Sequence, residues 1–391
     1  MSNDSSDPRT NGSFTGDCRA PLAAVLDYSS LASAIDEALD GAVTEPWLVK
    51  ARRVVFTSSG DGLFAARSVL PAFRRWSGVT AEVMSAIEFA RYETPLLDSG
   101  DVLVAISNSG SSSRTREAVA LARDRGTPVL GVTGSLDGPL AAMVDRTVHR
   151  PVRSAGFDVS GHRRAIVHMA EYFATLRALY GLALRLGLAH GRLAPEAADE
   201  TRADIDRAVA AVPEVAAATE AHARALAERL HAQGTDTVWV LGAGPNRGTA
   251  EYCAAKFHEQ VPLNGVPQDL EEWAHLQYFL TLSWGARGPV LVLAPSGNAR
   301  DRAEEVVAGI ARAGGFAVTV GPGEATGEAA RLEVPEHLPE LLTPLLYHVP
   351  VQLLVLHLAR LAGVDPTPIR RVDDYELIRG GIVRDRVVGL I

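Results

Sequence analysis

The amino-acid sequence predicts an α/β protein of two similar domains, each a parallel sheet flanked by helices. Its 391 residues are enough for two domains of ordinary size. Hydrophobic residues make up 47% of the chain and aromatic residues only 6%, a composition typical of closely packed helices and buried parallel strands. The third observation is an internal repeat, because the same order of strands, turns and helices occurs in both halves.

Each half contains two apolar strands that run into turns rich in small residues. The four strand–turn junctions lie at 53–62, 102–110, 237–245 and 290–297. Strands that alternate with helices at this spacing indicate βαβ units, and such sheets bind ligands beyond the carboxyl ends of their strands. The sequence therefore directs the search for functional residues to these turns.

A mostly helical stretch rich in Ala, Leu and Arg lies between the halves, over about 165–233, and is broken at Pro195. Its amphipathic helices are expected to connect the two domains. The sequence thus predicts a disordered tail over 1–20, a first domain with connector helices over 21–195, and a second domain with a C-terminal tail over 196–391.

Charge and cysteine content restrict the partners. A formal net charge of −9 gives no general attraction to nucleic acid or to an anionic membrane, so an anionic substrate must be held by local groups. Only Cys18 and Cys253 are present, without the spacing of a zinc site or a disulfide framework. The polar start of the chain lacks a signal-peptide pattern, and no apolar run approaches the roughly 20 residues that span a bilayer. We therefore expect a cytoplasmic protein.

The segment from Ser107 to Thr115 is rich in hydroxyl groups and lies between a predicted strand and a predicted helix. Hydroxyl and backbone N–H groups at a helix N-terminus can surround an anion, which the helix dipole also favours. The alternative is a Ser-rich turn with a helix cap. The segment is not a P-loop, because G-x-x-x-x-G-K-[ST] is absent.

Residues 102–133 contain I-S-N-S-G-S-S-S-R-T-x-E-A and later G-x-P-V-L-G-V-T. This pattern resembles the phosphate-binding segment of sugar isomerase (SIS) domains. With the duplication, the resemblance extends over about 45–375 and is to the isomerase portion of glucosamine-6-phosphate synthase and its free-standing relatives. It implies two tandem SIS-type domains, each a flavodoxin-like three-layer α/β/α unit. By position, the residues that would hold a sugar phosphate are Ser107, Asn108, Ser109 and Ser112.

Lys256 and Glu259 are three positions apart and would share one face of a helix. From spacing alone, an ordinary surface ion pair explains them at least as well as a catalytic role. The SIS resemblance implies the catalytic role, because the family carries a lysine and its catalytic glutamate at this spacing, followed sixteen positions later by the ring-opening histidine, here His275. Glu272 matches the family's Glu-x-x-His, although Asp269 to Glu272 also has the spacing of a helix capping box.

Several positions depart from the family pattern. Ser59 and Asp61 lie in a turn where relatives carry small hydroxyl residues. Because a carboxylate repels a phosphate, Asp61 is expected to contact a sugar hydroxyl or an amine, or to point away. Arg163 could bind a phosphate or a carboxylate. Asp373 occupies the place of a C-terminal lysine that contacts the open-chain sugar, with Arg370 nearby, so fructose-6-phosphate bound in the family's usual way is not the expected substrate.

These residues, taken with the resemblance, imply aldose–ketose isomerisation of a phosphorylated sugar through a cis-enediol. His275 would assist ring opening, Glu259 would move the proton between C1 and C2, and Lys256 would stabilise the enediolate, without a metal or redox cofactor. One alternative is a deaminase or deglycase of a phosphorylated amino sugar or fructosamine, in which Asp61 could bind the amine. Another is a non-catalytic sugar-phosphate sensor. The resemblance further implies a homodimer in which His275 reaches the active site of the other subunit.

Overall fold

A computed structural model describes most of the chain. The described residues are 18, 28–151, 156–159, 162–165, 168–323, 330–334, 338–364 and 366. They fall into two compact units, of which the N-terminal unit holds 28–151 and 168–210. The C-terminal unit holds the described residues from 211 onward, together with Cys18 and a short hairpin. The domain boundary expected between 195 and 196 falls inside the N-terminal unit, which continues to Ala210.

The N-terminal unit contains a five-stranded sheet. Its strands are β1 (Arg53–Ser58), β2 (Thr80–Ser85), β3 (Asp101–Ser107), β4 (Val129–Thr133) and β5 (Arg146–His149). Their order is β2-β1-β3-β4-β5, and every neighbouring pair is parallel. All seven residues of β3 are buried, as expected for a central strand covered on both faces. The predicted parallel α/β architecture is confirmed for this unit.

Helices cover this sheet and connect its strands. They are α1 (Tyr28–Ala42), α2 (Asp61–Ser77), α3 (Ser113–Asp124), α4 (His168–Ala189) and α5 (Pro195–Ala210), with helical turns at Pro46–Val49 and Ala86–Glu88, a π-helical turn at Phe89–Glu93 and a 3-10 turn at Thr94–Leu96. Helix α4 packs against α1 and α2. The buried Arg177 of α4 donates to Asp36 of α1, with 2.7 Å between Nη2 and Oδ2, which ties these two helices together.

The hairpin of the C-terminal unit is formed by β6 (Gly156–Val159) and β7 (His162–Ala165), which pair antiparallel. The main sheet of this unit has five strands. They are β8 (Thr237–Gly242), β9 (Asn264–Asp269), β10 (Val290–Leu293), β11 (Ala317–Gly321) and β12 (Ala330–Glu333). Their order is β12-β11-β10-β8-β9, again parallel throughout. Counted within each unit, both sheets have the order 2-1-3-4-5 of flavodoxin-like folds, which confirms the predicted duplication.

Helices of the C-terminal unit complete its layers. They are α6 (Val212–Ala232), α7 (Asn246–Gln260), α8 (Tyr278–Trp284), α9 (Arg300–Arg312) and α10 (Val349–Leu361), with a helical turn at Leu270–Glu272, a π-helical turn at Trp273–Gln277 and 3-10 turns at Gly285–Arg287 and Glu340–Leu345. Helix α10 packs against α6 and α7. Helix α9 packs with Trp273 on the sheet face that carries Trp239, Leu241 and Val292.

The segment Glu340–Leu361 is the one stretch among the described residues that is long and apolar enough to cross a membrane by length and composition. However, 94% of its most apolar window is buried inside the structure. Because this segment includes α10, which packs on α6 and α7, it serves here as a core element of the C-terminal unit.

Candidate active site

The carboxyl edge of the N-terminal sheet brings together the turns that follow β1, β3 and β4. Strands β1 and β4 both pair with β3, and Ser107, the 9% exposed last residue of β3, lies opposite Thr133. The hydroxyl of Ser58 donates to the carbonyl oxygen of Ile106 at 2.7 Å. The turn after β1 is therefore tied directly to the strand that leads into the hydroxyl-rich turn.

The turn after β3 and the start of α3 form a cluster of hydroxyl groups. Ser109 is exposed, and its Oγ lies 2.7 Å from Oγ of Ser111. Ser112 occupies the N-cap position of α3, but its side chain caps no backbone group and accepts a hydrogen bond from the Thr115 hydroxyl at 3.2 Å. Gly110 turns the chain with φ of 68°, which glycine adopts without steric cost. The cluster thus lies at the N-terminus of a 12-residue helix, whose dipole favours an anion.

Asn108 holds this turn in place through both its side chain and its backbone. Its carbonyl oxygen accepts hydrogen bonds from Gly134 N at 3.0 Å and from the Thr133 hydroxyl at 3.1 Å. Its side-chain Nδ2 donates to Glu171, and its Oδ1 accepts from Arg150 at 3.1 Å. The side-chain amide of Asn108 is thus engaged by Glu171 and Arg150. Its direct contact with a phosphate remains a prediction.

A buried cation lies behind the turn. Arg150 follows β5 and is 2% exposed. Burial lowers the pKa of its guanidinium to about 10, while the negative charges of Glu171 and Asp61 act in the opposite direction. Asp61 is the first residue of α2, where the helix dipole also favours a carboxylate, and the preceding Ser59 is exposed. The helix terminus and Arg150 together explain how Asp61 is accommodated near a predicted phosphate site.

In the C-terminal unit, Lys256 and Glu259 lie one turn apart on α7. Lys256 Nζ donates to Glu259 Oε2 at 2.7 Å. The lysine side chain is 1% exposed and its Nζ lies 4.5 Å from the centre of the Tyr252 ring, whereas the Glu259 side chain is 34% exposed. A buried lysine therefore fixes a partly accessible carboxylate. This arrangement differs from the exposed surface ion pair that was the alternative interpretation of the spacing.

His348 and Cys253, which lie near Lys256, are buried and neutral. Burial, together with the Lys256 charge, lowers the pKa of the His348 imidazole to about 3. The His348 ring meets Tyr252 edge to face at 5.5 Å. Burial also raises the pKa of the Cys253 thiol, against the opposing influence of Lys256. Neither His348 nor Cys253 carries charge near pH 7, whereas Glu259 is an anionic partner of Lys256.

His275 lies on the π-helical turn Trp273–Gln277 and is exposed. Its side chain is 64% exposed, and its Nε2 lies 3.2 Å from Oε1 of Glu271. Glu271 is held by Arg302, whose Nε donates to Oε2 at 2.6 Å, and this hydrogen bond lowers the pKa of the Glu271 carboxyl. His275 therefore presents an accessible ring that is oriented by an ionised carboxylate.

Glu271 was not predicted from the sequence, whereas its neighbour Glu272 was, and both side chains are exposed. The available signal was the four-residue spacing of Glu271 and His275, which places both on one helical face. Asp269 caps the turn, because its Oδ1 accepts from Glu271 N at 2.9 Å. The reciprocal bond of a capping box is absent among these residues, since Asp269 N donates instead to the Gln268 side chain at 2.7 Å.

Three predicted positions lie outside the described side chains. Arg163 belongs to β7, of which only the backbone is described, and Arg370 and Asp373 follow the last described residue. Within the described part of the chain, no group of three or more His, Cys, Asp or Glu side chains is placed to hold a metal ion.

The N-terminal unit matches a known domain family. Residues 47–170 match the SIS domain family. The chain contains a SIS domain. The matched residues include all five strands of the first sheet and the hydroxyl-rich turn after β3. The resemblance deduced from that turn is thereby confirmed.

Curated relatives extend the similarity into the second unit. The chain is 26% identical over 323 residues to glutamine–fructose-6-phosphate aminotransferase [isomerizing] of Thermococcus kodakarensis, with 82% of the chain and 51% of the relative covered. It is 29% identical over 323 residues to the protein of the same name from Symbiobacterium thermophilum, with 80% and 50% covered. The chain therefore spans about half the length of these relatives.

Solved structures show the same fold over nearly the whole chain. The C-terminal domain of glucosamine-fructose-6-phosphate aminotransferase from Francisella tularensis matches with a TM-score of 0.77 at 16% identity, covering 94% of this chain and 99% of that one. A putative phosphosugar isomerase from Clostridium difficile matches with a TM-score of 0.76 at 17% identity, covering 94% and 98%. At such identities the likeness shows the fold alone, here two α/β units in tandem.

Proposed function

We propose that this SIS protein catalyses aldose–ketose isomerisation of a phosphorylated sugar. The observation that carries the proposal is the carboxylate of Glu259, 34% exposed and fixed at 2.7 Å by a lysine that is 1% exposed. Isomerisation moves a proton between adjacent carbons, so it needs one positioned and accessible base that later acts as acid. Similarity to relatives named as isomerising aminotransferases supports the same class of chemistry.

In the proposed reaction, Glu259 removes the proton from C2 of the open-chain aldose while O1 gains a proton. The resulting cis-enediol loses its O2 proton and receives the proton from Glu259 at C1, which gives the ketose. Lys256 keeps the carboxylate in position and, because it is buried, stabilises the developing enediolate through space. All atoms are conserved and no electron leaves the sugar.

His275 is proposed to assist the ring opening that precedes proton transfer. A ring nitrogen that accepts the proton of the C1 hydroxyl lets the C1 carbonyl form as the bond to the ring oxygen breaks, and the imidazolium then returns that proton to the ring oxygen. Glu271 orients the imidazole at 3.2 Å and is itself fixed by Arg302. Glu272, which the SIS resemblance implies as a catalytic residue, is proposed to act beside His275.

The phosphate group is proposed to bind the hydroxyl cluster at the start of α3. Ser109 and Ser112, with Ser111 between them, offer hydroxyl groups at a helix N-terminus. In a chain with a net charge of −9, such a local site is the means of holding a phosphate. Ser107 and Asn108 are proposed to support this cluster.

The exposed position of His275 favours a homodimer with shared sites. Leu276, Phe279 and Leu282 lie next to it in sequence and are 56%, 58% and 60% exposed. Apolar side chains exposed together mark interaction surfaces. We propose that a second copy of this chain covers them and that each His275 serves the active site of the other subunit.

Asp61 supports a second candidate function, the deamination or deglycation of a phosphorylated amino sugar or fructosamine. Its carboxylate lies at the start of α2, next to the strand edge that carries the phosphate-binding turn, where it would attract a substrate amine. This reaction shares the ring opening and the proton abstraction at the adjacent carbon. Release of ammonia or of a free amine distinguishes it from isomerisation.

A panel of sugar phosphates incubated with the protein in deuterated water tests the proposal. Isomerisation predicts exchange of the C1 or C2 proton by proton NMR together with formation of the aldose or ketose partner. Ammonia release with the amino sugars would instead favour the second candidate. Tight binding of a sugar phosphate with no proton exchange for any member would overturn both and identify a sensor.

A further inference from the structure

Arg150 is a buried arginine that the SIS resemblance leaves without a role. It is 2% exposed, and its backbone N–H donates to the Thr133 carbonyl at 2.9 Å, which places it at the carboxyl edge of the sheet. Its Nη1 donates to Asn108 Oδ1 at 3.1 Å, while its Nε has no hydrogen-bond partner among the described residues. Burying a guanidinium is costly unless charges and hydrogen bonds offset the lost hydration.

The charges and hydrogen bonds that offset the burial of Arg150 come from residues that also contact the turn after β3 or lie beside it. Glu171 and Asp61 supply the negative charge that acts on Arg150. Glu171 also accepts a hydrogen bond from Asn108 Nδ2, so both the nitrogen and the oxygen of the Asn108 side-chain amide are hydrogen-bonded. Its carbonyl oxygen is fixed by Gly134 and Thr133. Asn108 directly precedes the exposed Ser109, and the network therefore ends where the hydroxyl cluster begins.

Packing around Asn108 leaves little room for another orientation. A Cβ added to Gly134 would lie 2.4 Å from Asn108 Oδ1 and 3.2 Å from its carbonyl oxygen. Both atoms therefore lie against backbone, and Arg150 supplies the donor that selects this orientation of the amide. Sites that bind ligands tightly need such support behind the contacting groups.

We propose that Arg150 is a positioning residue of the phosphate site, acting through Asn108 to fix the backbone that leads into Ser109 and Ser112. This inference rests on the proposed function, since it presupposes that the hydroxyl cluster binds phosphate. Arg150 touches no substrate. Its contribution is the orientation of groups that do, and a misplacement of ~1 Å can cost up to about 10²-fold in such sites.

The test measures the affinity for inorganic phosphate by calorimetry in the wild type and in variants. Arg150→Met should weaken phosphate binding by roughly tenfold or more, and Arg150→Lys, which keeps the charge, should restore part of it. Arg177→Met is the matched control. Arg177 is equally buried and pairs with Asp36 at 2.7 Å, on the helices α4 and α1. Its loss should lower the melting temperature and leave phosphate affinity unchanged.

A double-mutant cycle then tests the route. If Arg150 acts through Asn108, its substitution should add little in an Asn108→Ala background, because residues of one network are not additive. Running the cycle with both Met and Lys at position 150 keeps the test valid where the Met variant fails to fold. Wild-type affinity in both folded Arg150 variants, or fully additive effects, would overturn the positioning role alone. A wild type that binds no phosphate would overturn the proposed site and this inference together.

Discussion

The burial of Lys256 distinguishes the Lys256–Glu259 pair from an ordinary ion pair with the same spacing. A lysine and a glutamate three positions apart are ordinary on a solvated helix, where such a pair contributes little. Here the lysine is 1% exposed, between the Tyr252 ring and the carboxylate. The pair is thus an immobile cation with an accessible anion, which is the arrangement that a proton-transfer base requires.

Glu259→Gln should reduce turnover by about 10²–10⁴-fold, the range expected when a general base is lost. The amide keeps the size and hydrogen bonding of the side chain, so binding of the sugar phosphate should be largely preserved. Steady-state rates and C1 or C2 proton exchange measure the effect. Glu304→Gln is the matched control, because Glu304 forms an exposed ion pair with Arg300 at 2.6 Å on α9 and should be silent. Near wild-type exchange in Glu259→Gln would remove it from the mechanism.

His348 makes the stability of the protein dependent on pH. Its pKa is lowered from 6.5 to about 3 by burial and by Lys256. The unfolded chain therefore binds a proton that the folded protein does not, and stability present above pH 6.5 is lost as the pH falls toward 3. The slope contributed by one such group is at most about 1.4 kcal/mol per pH unit.

Urea unfolding at pH 7, 6 and 5 measures this dependence. Between pH 7 and pH 5, the free energy of unfolding should fall less in His348→Leu than in the wild type, whatever the absolute stability of the variant. His258→Gln, at an exposed position, serves as the control for the loss of a histidine. Equal slopes in the wild type and His348→Leu would show that folding does not lower the pKa of this imidazole.

Besides their five strands, the two units share a π-helical turn. A π-helical turn follows the second strand in each, at Phe89–Glu93 and at Trp273–Gln277. Such turns are rare and occur frequently at functional sites. The second of them carries His275, whereas the proposed phosphate-binding turn of the N-terminal unit follows its third strand, β3. The same fold thus uses different junctions in its two copies.

The hydroxyl groups at the N-terminus of α3 are predicted to bind the phosphate of the substrate. Ser109→Ala with Ser112→Ala should weaken binding of the phosphorylated substrate by about tenfold, because two hydroxyl groups at the helix N-terminus are lost. Folding should change little, since Ser112 makes no capping bond to the backbone. Calorimetric titration and thermal melting measure the two quantities.

A matched hydroxyl elsewhere gives the control for that variant. Thr201 donates to the Ala197 carbonyl at 2.8 Å within α5, so Thr201→Ala removes a hydroxyl that has no proposed ligand. It should leave the affinity unchanged. Unchanged affinity in the Ser109/Ser112 variant as well would place the phosphate outside this turn.

For the whole molecule, the proposed homodimer can be tested through shared sites. When inactive Glu259→Gln and inactive His275→Asn subunits are mixed one to one by co-expression, half of the dimers are hybrids and each hybrid holds one intact site. Activity should return to about a quarter of the wild-type level if His275 serves the other subunit. Mixing must be verified by differently tagged chains. Demonstrated hybrids without activity would place both residues in one subunit's site.

Local sequence determined the parts of this protein that depend on neighbouring residues. Runs of apolar residues ending in small residues predicted the strands and their turns, because hydrophobic periodicity and turn chemistry act over a few positions. The hydroxyl-rich turn after β3 and the duplicated order of elements were predicted in the same way, and both are present. The Lys256–Glu259 contact also followed from helical spacing.

Tertiary structure alone decided which of those residues are buried and what they contact. Arg150 and Glu171 meet Asn108 from distant parts of the chain, and Glu271 is fixed by Arg302 from another helix. Local patterns contain no information on such meetings, because they depend on which elements pack together. The burial that makes Lys256 a fixed cation arises in the same way, from the helices that pack around it, and this burial separates a candidate catalytic pair from an ordinary surface ion pair.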